Sequence, residues 1–320
     1  MSLTAIVPVW NGRDLLEGLL ASVDAQTERP SEVLVVDNGS SDGAPELARG
    51  RGARVISMGR NAGFAAAVNR GIRESHTPWI AVLNSDVVLA PDYFATLMAA
   101  AAAFATGKIF SAAVKDRLDA TFDAVCAGGT AWRVGQGRVD GPAFAMRREI
   151  FLAPWTALVL RADLVERVGL LDERFESYLE DVEFGLRCAA QGITGMYVPE
   201  AIAWHHGSAT LGRWHPETVR RLARNQCYIL ALHYPQRRNW PVWVAQALWG
   251  GVAARHGAGS AWLRGKWQGF RESSHFRGRG PVVSESFLRQ NERTIYEIQK
   301  AAGFDRYWQL YFFLTGRGTK

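Results

Sequence analysis

Acidic and amide side chains near the start of the 320-residue chain directly follow apolar runs that are typical of buried strands. Asp37 follows one run, and Asn84-Ser85-Asp86 follows another. Magnesium is commonly held in proteins by one or two carboxylates together with the phosphates of a substrate. Asp86 could therefore be a metal ligand at the mouth of an active site, although the tripeptide taken alone is better explained as a turn at a strand end.

Asp37 precedes a turn that opens a predicted helix. Ser40, Ser41 and Asp42 in that turn are good helix caps, but capping does not explain an acid that precedes the turn. A carboxylate at this place could accept a hydrogen bond from the imide N–H of uracil or thymine. The sequence has no G-x-G-x-x-G fingerprint after its first strand and no P-loop motif, so it supports neither a dinucleotide-binding fold nor a P-loop enzyme.

Asn61 and Gly63 stand at the start of another predicted helix. The N-terminus of a helix favours a phosphate or a ribose hydroxyl as its ligand. Because both residue types are also common in caps and turns, they indicate a nucleotide site only in combination with Asp37 and Asp86.

Three acids, Glu180, Asp181 and Glu183, fall in the first turn of a predicted amphipathic helix. The helix dipole favours acids there, which is the structural explanation. The functional explanation makes one of them a general base that accepts a proton from a hydroxyl nucleophile. Adjacent residues at a helix start point in different directions, so the acids need not share one role.

A pair of histidines, His205 and His206, stands beside a Gly-Ser turn. Single histidines are more often structural than ligating, but two together favour a metal site, because a neutral imidazole complements carboxylate and phosphate ligands. The sequence has no G-x-S-x-G element, so it does not indicate a serine nucleophile.

The first part of the chain predicts strands that alternate with helices. Such alternation is typical of an α/β fold with a doubly wound, mostly parallel sheet, which binds ligands at the carboxyl ends of its strands. The polar segments described above follow these strands. The predicted strands are 4–9, 32–36, 54–57 and 79–83, and the predicted helices are 13–26, 44–50 and 62–74.

The pattern is weaker in the middle of the chain and helical in its last third. The segment 109–148 shows no clear period. Further strands are predicted at 156–160 and 193–198, and helices at 91–104, 163–168, 180–191, 216–233, 242–255, 260–270, 285–302 and 307–314.

Six segments together resemble the family 2 glycosyltransferases of the GT-A fold. In chain order these segments are VPVWNG, VVDNGSSDG, RNAGFAAAVNRGI, LNSDVVL, VGLLDERFESYLEDVEFGLRCAAQG and WHHGSAT. The resemblance covers roughly residues 3–210 and is strongest to the bacterial rhamnosyltransferase-like branch, which builds cell-wall or surface polysaccharides. It implies inverting, single-displacement transfer of a sugar from a nucleotide-diphosphate donor to a glycan or lipid-linked glycan acceptor, with Mg²⁺ or Mn²⁺ as cofactor.

The resemblance also implies a role for each matching residue. Asp181 would be the catalytic base with Glu180 beside it, Asp86 a metal ligand, and His205 a second one, with His206 as the alternative in register. The nucleotide-sugar would contact Pro8, Trp10, Asn11, Asp37, Asn61, Gly63, Asn84 and Ser85.

Two features qualify this assignment. Asn84 stands where many family members have Asp, so it could bond a ribose hydroxyl but would leave Asp86 as the main ligand. The Q-x-x-R-W element of processive synthases is absent, which favours addition of a single sugar. The donor alternatives are a UDP-hexose or a galactofuranose donor, and the alternative class is a non-catalytic protein that binds nucleotide-sugars or glycans.

Charge is distributed unevenly along the chain. Residues 204–320 carry 18 Lys and Arg against 6 Asp and Glu, and eight of the 12 tryptophans, whereas residues 1–203 carry a net charge of −6. Basic helices rich in Trp suit the interface of an anionic membrane, but helix packing with a solvated basic face explains the composition equally well. No module for nucleic-acid binding accompanies this composition, so no nucleic-acid partner is expected.

We expect a catalytic domain at 1–210, with nucleotide-sugar binding at about 1–105 and the acceptor part at about 106–210, followed by a helical region at 211–320. The start of the chain shows no secretion signal, and its three cysteines are far apart and odd in number, which fits a reducing compartment. We therefore expect a cytoplasmic protein that is soluble or peripheral at the inner face of the membrane. The sequence does not fix its oligomeric state.

Overall fold

A computed structural model describes residues 2–207, 214–234 and 239–318. The predicted alternation of strands and helices up to residue 83 is confirmed. The strands are β1 (Leu3–Val9), β2 (Glu32–Asp37), β3 (Arg54–Ser57), β4 (Trp79–Leu83), β5 (Val87–Leu89), β6 (Phe104–Ser111), β7 (Leu118–Ala120), β8 (Asp123–Val125), β9 (Ala131–Arg133), β10 (Arg148–Ile150), β11 (Ala157–Arg161) and β12 (Gly195–His205).

The α-helices lie between the strands and then follow them. They are α1 (Arg13–Asp24), α2 (Ala44–Gly50), α3 (Phe64–Glu74), α4 (Tyr93–Ala99), α5 (Ala162–Val168), α6 (Glu180–Ala190), α7 (Pro216–His233), α8 (Trp240–Arg255), α9 (Gly259–Glu272), α10 (Glu285–Ala302) and α11 (Arg306–Thr315). In the described ranges, none of the helices has both the length and the apolar character needed to cross a bilayer.

Ten strands form one mixed sheet whose main path runs β10-β12-β6-β11-β4-β1-β2-β3. β3, β2, β1 and β4 are mutually parallel, and β11 lies antiparallel between β4 and β6. β12 continues the sheet parallel to β6 and also pairs with the short strand β5. The carboxyl ends of β1, β2 and β4 therefore meet at one edge.

Helices cover both faces of this sheet, which explains the continuous apolar runs of its central strands. Ile6 and Leu34 belong to a core cluster on one face, whereas Val7 and Val35 belong to the cluster on the other. The first cluster also takes in side chains of α8, α10 and α11, so the C-terminal helices pack on the middle of the chain.

The helix predicted at 91–104 is wrong at its C-terminal end. The helix α4 ends at Ala99, and Phe104 already begins the buried strand β6. The run of alanines favoured a continued helix, but Ala101 has a φ of +50°, which turns the chain back toward the sheet. Gly107 in this strand leaves no room for a Cβ atom, which would lie 2.2 Å from the carbonyl oxygen of Ala201.

The strand predicted at 193–198 is too short. It runs on to His205 as β12, and its register with β6 shifts between Val198 and Ile202. Pro199 and Glu200 interrupt the apolar pattern at that irregularity, which is why the sequence suggested an end there. The second half of β12 carries His205 to the edge where β4 ends.

Candidate active site

A cavity of about 1280 Å³ opens at the carboxyl edge of β1 and β4. Its walls come from this edge, from the start of α6 and from the C-terminal helices. Ten of the residues predicted from the sequence line it: Pro8, Trp10, Asn11, Asn61, Asn84, Ser85, Asp86, Glu180, Asp181 and His205.

Three predicted residues lie outside this lining. The Asp37 carboxylate is buried and accepts a hydrogen bond from the Ser40 amide at 2.8 Å, while its neighbour Asn38 lines the cavity. Gly63 is buried behind Asn61, whose side chain accepts a hydrogen bond from its amide at 3.0 Å. His206 is exposed, and only its backbone N–H reaches toward the site, donating to the carbonyl oxygen of Asp86 at 3.0 Å.

The loops after β1 and β2 are tied together. The amide of Asn11 donates to the Ser40 hydroxyl at 2.9 Å, and the Asn11 side chain accepts from the Ser41 amide at 3.0 Å. Asn11 has a φ of +57°, a left-handed conformation that asparagine tolerates well. These contacts hold Trp10 and Asn11 at the cavity edge.

His205 lies between two carboxylates. Its Nε2 is 3.0 Å from Asp86 Oδ1, and its Nδ1 is 2.8 Å from Asp119 Oδ2. Burial lowers the pKa of His205, but the hydrogen bonds to Asp119 and Asp86 outweigh it and raise the pKa to about 9. The two carboxylates therefore favour the protonated form of the ring.

The Asp86–His205 pair has the chemistry of a divalent-metal site. Asp86 Oδ1 and His205 Nε2, which lie 3.0 Å apart, would offer such an ion one carboxylate oxygen and one imidazole nitrogen. A carboxylate on the opposite ring nitrogen, as supplied by Asp119, orients ligating histidines. No cluster of three or more His, Cys, Asp or Glu side chains suited to a metal occurs among the described residues, so further ligands would come from substrate phosphates.

Asp86 is fixed by a turn between β4 and β5. The amide of Asn84 donates to the Thr156 carbonyl oxygen at 2.9 Å, and the amide of Val87 donates to the Asn84 carbonyl oxygen at 3.3 Å. The pairing of Val87 with His205 across β5 and β12 then sets the distance between Asp86 and the imidazole. The tripeptide thus forms the turn that the structural explanation predicts, and this turn directs Asp86 toward His205.

Asp181 faces a guanidinium that the sequence analysis missed. Arg133 Nη2 lies 3.4 Å from Asp181 Oδ2, and Arg133 Nε lies 3.6 Å from Asp123 Oδ1. The second oxygen of Asp123 is buried without a hydrogen-bond partner among the described residues. Burial raises the pKa of Asp123 to about 7, against the opposing effect of Arg133.

The other two acids of α6 have different environments. One carboxyl oxygen of Glu180 is buried without a hydrogen-bond partner in the described ranges, and burial together with the Asp181 carboxylate raises the pKa of Glu180 well above its usual range. Glu183 forms an ion pair with Arg187 at 2.8 Å and contacts His233 Nε2 at 3.1 Å. Glu183 is therefore structural, and Asp181 is the acid that faces a cation in the cavity.

The segment 176–179, which leads into α6, adopts an unusual backbone. Glu176, Tyr178 and Leu179 have φ values of +61°, +74° and +67°, a region that costs non-glycine residues roughly 1–3 kcal/mol each. This segment determines where α6 begins and hence where Asp181 lies.

Two buried residues of α7 hold the strained segment. The side-chain nitrogen of Asn225, Nδ2, lies 2.7 Å from the carbonyl oxygen of Tyr178 and 2.9 Å from that of Phe175. Arg224 donates to the Phe175 carbonyl oxygen at 3.0 Å and to Glu176 Oε1 at 2.8 Å. The helix α7, which we expected to belong to the separate helical region at 211–320, thus supports the segment that leads into α6.

Sequence reasoning missed Asp119, Asp123, Arg133 and Asn225. The first three lie where the sequence shows no period, on or beside the short strands β7, β8 and β9. Two acids and two arginines in an otherwise largely apolar region, 117–134, were the available signal. Asn225 could have been noticed as an amide inside the apolar face of a predicted helix.

Aromatic side chains from outside the first strands and helices also line the cavity. They come from the middle of the chain and from α8 and α11, together with a residue just before α7. This set is Trp132, Trp155, Trp214, Trp249, Tyr307 and Trp308.

Two protein-family models match the chain. Glycosyl transferase family 2 matches residues 4–125, and Glycosyl transferase family group 2 matches residues 79–255. Together they cover the edge of the sheet, both histidines and the start of α6.

A curated relative from Mycobacterium tuberculosis, N-acetylglucosaminyl-diphospho-decaprenol L-rhamnosyltransferase, is 31% identical over 226 residues. The alignment covers 62% of this chain and 74% of the relative.

Two solved structures share the fold at low sequence identity. GalNAc-T7, solved with UDP, GalNAc and Mn²⁺, has a TM-score of 0.63 and 13% identity over 95% of this chain, which spans 58% of that one. The mannosyltransferase PcManGT from Pyrobaculum calidifontis, solved with GDP-Man and Mn²⁺, has a TM-score of 0.53 and 16% identity over 99% of this chain and 86% of that one.

The family matches, the rhamnosyltransferase relative and the shared GT-A fold agree with the cavity at the sheet edge. The chain belongs to glycosyl transferase family 2 and is a glycosyltransferase.

Proposed function

We propose that this glycosyltransferase moves one sugar, L-rhamnose from dTDP-rhamnose, to a hydroxyl of a lipid-linked glycan, with inversion and with the help of Mg²⁺ or Mn²⁺. The observation that carries the proposal is that Asp181 and the Asp86–His205 pair open on the same cavity. The name of the mycobacterial relative supports rhamnose as the sugar and a lipid diphosphate as the carrier of the acceptor.

Asp181 is the general base in this proposal. Its Oδ1 accepts a hydrogen bond from the Val182 amide at 2.8 Å, and the longer contact of its Oδ2 with Arg133 leaves this oxygen able to accept a proton from the acceptor hydroxyl. Burial and the neighbouring Asp181 carboxylate raise the pKa of Glu180, which favours Asp181 over Glu180 as the base.

In this proposal Asp86 and His205 lie beside the diphosphate of the donor, which is the leaving group of the reaction. They would hold Mg²⁺ or Mn²⁺, which as a Lewis acid offsets the charge that develops on the departing diphosphate. Asp119 keeps the ring of His205 oriented with Nε2 toward Asp86. The nucleoside would lie against the part of the lining formed by Pro8, Trp10, Asn11, Asn61, Asn84 and Ser85. Asp37 remains the predicted contact of the nucleobase.

The aromatic part of the cavity suits the acceptor. Sugar rings stack on aromatic faces through their C–H groups, and a prenyl chain is apolar. Trp249 and Trp308 line the cavity beside Tyr307, whose hydroxyl donates hydrogen bonds to Thr130 Oγ1 and to the Ala245 carbonyl oxygen at 3.0 and 3.1 Å. This wall is therefore held rigidly.

A donor screen tests the choice of sugar. Thermal unfolding in the presence of Mn²⁺ is compared for dTDP-rhamnose, UDP-sugars and GDP-sugars, and dTDP-rhamnose should stabilise the protein most. A larger shift with a UDP-hexose or UDP-galactofuranose would show that this nucleotide-sugar, and not dTDP-rhamnose, is the donor.

Asp181→Asn tests the base. Transfer should fall by about 10²–10⁴-fold, the usual contribution of a general base, while the shift caused by donor and Mn²⁺ persists. Asp163→Asn, which changes an exposed acid of α5, serves as the matched control and should leave transfer unchanged. Undiminished transfer by Asp181→Asn would rule out Asp181 as the base.

A further inference from the structure

The outward face of α9 carries large apolar side chains that take no part in the cavity. Leu263, Trp267 and Phe270 are 61%, 64% and 61% exposed, and their spacing of four and three residues places them on one side of the helix. Arg264 and Arg271 are exposed beside them, and the Arg271 guanidinium lies 4.5 Å from the Trp267 ring centre.

The inward face of the same helix explains how α9 is held. Ala261, Gly265 and Gly269 recur every fourth residue and are buried. A Cβ atom on Gly265 would lie 2.2 Å from the Arg220 carbonyl oxygen, and one on Gly269 would lie 2.6 Å from that of Arg224. Small residues thus let α9 lie directly on α7, and helix packing accounts for this face without using Leu263 or Trp267.

The tryptophans of the C-terminal helices fall into two groups. Trp308 is buried, and Trp262 is half-buried against Gly250. Trp240 and Trp243 at the start of α8 are 60% and 62% exposed. Packing therefore explains Trp262 and Trp308, but it does not explain why Trp240 and Trp243 are exposed.

The exposed tryptophans of α8 lie close to one end of α9. Lys266 Nζ is bonded to Gln246, and Gly250 faces Trp262, so the two helices run antiparallel. This register brings Trp243 to the level of Phe270. Trp240 donates its indole N–H to the Leu314 carbonyl oxygen at 2.8 Å, which fixes this end of α8 on α11.

The charge around α9 is almost entirely positive. Residues 256–283 contain five Lys and Arg and one acid, Glu272. That acid is not available to a partner, because it accepts hydrogen bonds from the Tyr228 hydroxyl and from Gln268. Lys266 is bonded to Gln226 and Gln246, whereas the other four cations, Arg264, Arg271, Arg277 and Arg279, are exposed. Exposed aromatic and aliphatic side chains interleaved with guanidinium groups match the boundary between anionic lipid headgroups and acyl chains.

We propose that the outward face of α9, together with Trp240 and Trp243, binds the surface of an anionic lipid bilayer. Leu263 and Trp267 enter the headgroup region, and Arg264 and Arg271 pair with lipid phosphates. The helix α8 also supplies Trp249 to the cavity wall, so the lipid surface and the acceptor side of the cavity share one element. This inference does not depend on which sugar is transferred.

Vesicle flotation of the full chain tests the proposal. At low salt the protein should float with vesicles that contain phosphatidylglycerol and much less with pure phosphatidylcholine. Leu263→Glu/Trp267→Glu should reduce the floated fraction by about tenfold or more, since it removes apolar burial and adds repulsion. Arg264→Gln/Arg271→Gln should weaken flotation and flatten its dependence on salt.

Met146→Glu, at an exposed apolar residue elsewhere, and Arg49→Gln on α2 are the matched controls and should float like the unaltered protein. Thermal unfolding with and without UDP and Mn²⁺ verifies that each variant is folded, and Trp267→Ser replaces the double variant if that one does not fold. The proposal is overturned if the unaltered protein stays at the bottom with phosphatidylglycerol at low salt, as a face for a protein partner would predict. Equal flotation of the α9 variants and the unaltered protein would overturn it as well.

Discussion

The side-chain amide of Asn225 lies 2.7 Å from the carbonyl oxygen of Tyr178. This contact joins the middle of α7 to the strained segment from which α6 and Asp181 begin. Holding a left-handed conformation at consecutive non-glycine residues requires such partners, because the relaxed backbone would be lower in energy.

Asn225→Ala should therefore lower kcat more than it lowers donor affinity. It should also reduce the free energy of unfolding by about 1–3 kcal/mol, since buried carbonyl groups lose their donor. Transfer rates per folded molecule and urea unfolding measure the two effects. Asn291→Ala, which removes another buried side-chain amide, on α10, should lower stability but leave kcat near its original value. A matching loss of kcat there would contradict a specific role for Asn225.

Arg133 should matter for transfer because it is the cation beside Asp181 and Asp123. Arg133→Met should lower kcat/KM, since it removes the guanidinium that lies 3.4 Å from Asp181 Oδ2 and 3.6 Å from Asp123 Oδ1. Arg133→Lys keeps the charge and should recover part of the lost kcat/KM. Equal kcat/KM values in the three proteins would contradict a role for Arg133.

Asp119 should act on metal affinity through His205. Asp119→Asn removes the carboxylate 2.8 Å from Nδ1, and such changes behind a ligating histidine weaken metal binding by about 10–100-fold. Titration of Mn²⁺ in the presence of UDP measures the change. Asp116→Asn, at an exposed position three residues away, should bind Mn²⁺ as the unaltered protein does.

Replacement of Gly63, at the start of α3, should cost more stability than replacement of the nearby Gly59. It has a φ of +91°, and a Cβ atom would lie 2.8 Å from the carbonyl oxygen of Glu176. Gly63→Ala should cost more stability than Gly59→Ala, which has a φ of +69° but open space around it and should cost only about 1–2 kcal/mol. Urea unfolding of both variants tests the order.

Lys266 should make stability depend on pH in the alkaline range. Burial between Gln226 and Gln246 lowers the pKa of Lys266 from 10.5 to about 8. Between these values the unfolded chain binds a proton that the folded chain lacks, so this residue adds stability as pH rises, by up to about 1.4 kcal/mol per pH unit. The difference in unfolding free energy between the unaltered protein and Lys266→Met should follow this slope; a difference that is constant from pH 7 to 10 would contradict it.

The parallel half of the sheet was predictable because its strands are buried on both faces and read as unbroken apolar runs. The strand β6 was not, because Gly107 and the buried Lys108 interrupt its pattern, and the partner of Lys108, Asp140, lies 32 residues away. Local sequence shows neither this ion pair nor the close approach of Ala201, which exists only when β12 is paired with β6.

The residues of the candidate site also fall into a group that could be predicted from the sequence and a group that could not. Asp86 follows a predicted strand, Asp181 lies in the first turn of a predicted helix, and the family resemblance added their roles and that of His205. Arg133 contacts Asp181 across 48 residues of chain and Asn225 contacts Tyr178 across 47, where no periodic pattern links the partners. Their roles are tertiary and became visible only with the fold.

The four-residue segment 176–179 has contacts on two sides. The carbonyl oxygen of Glu176 accepts a hydrogen bond from the Ala65 amide at 3.0 Å in the first turn of α3, while Arg224 of α7 holds its carboxylate. The two helices are far apart in sequence yet share one rigid link. Because Glu176 is bonded to both helices, a displacement of α7 has to be accommodated by the first turn of α3, next to Asn61 in the cavity lining.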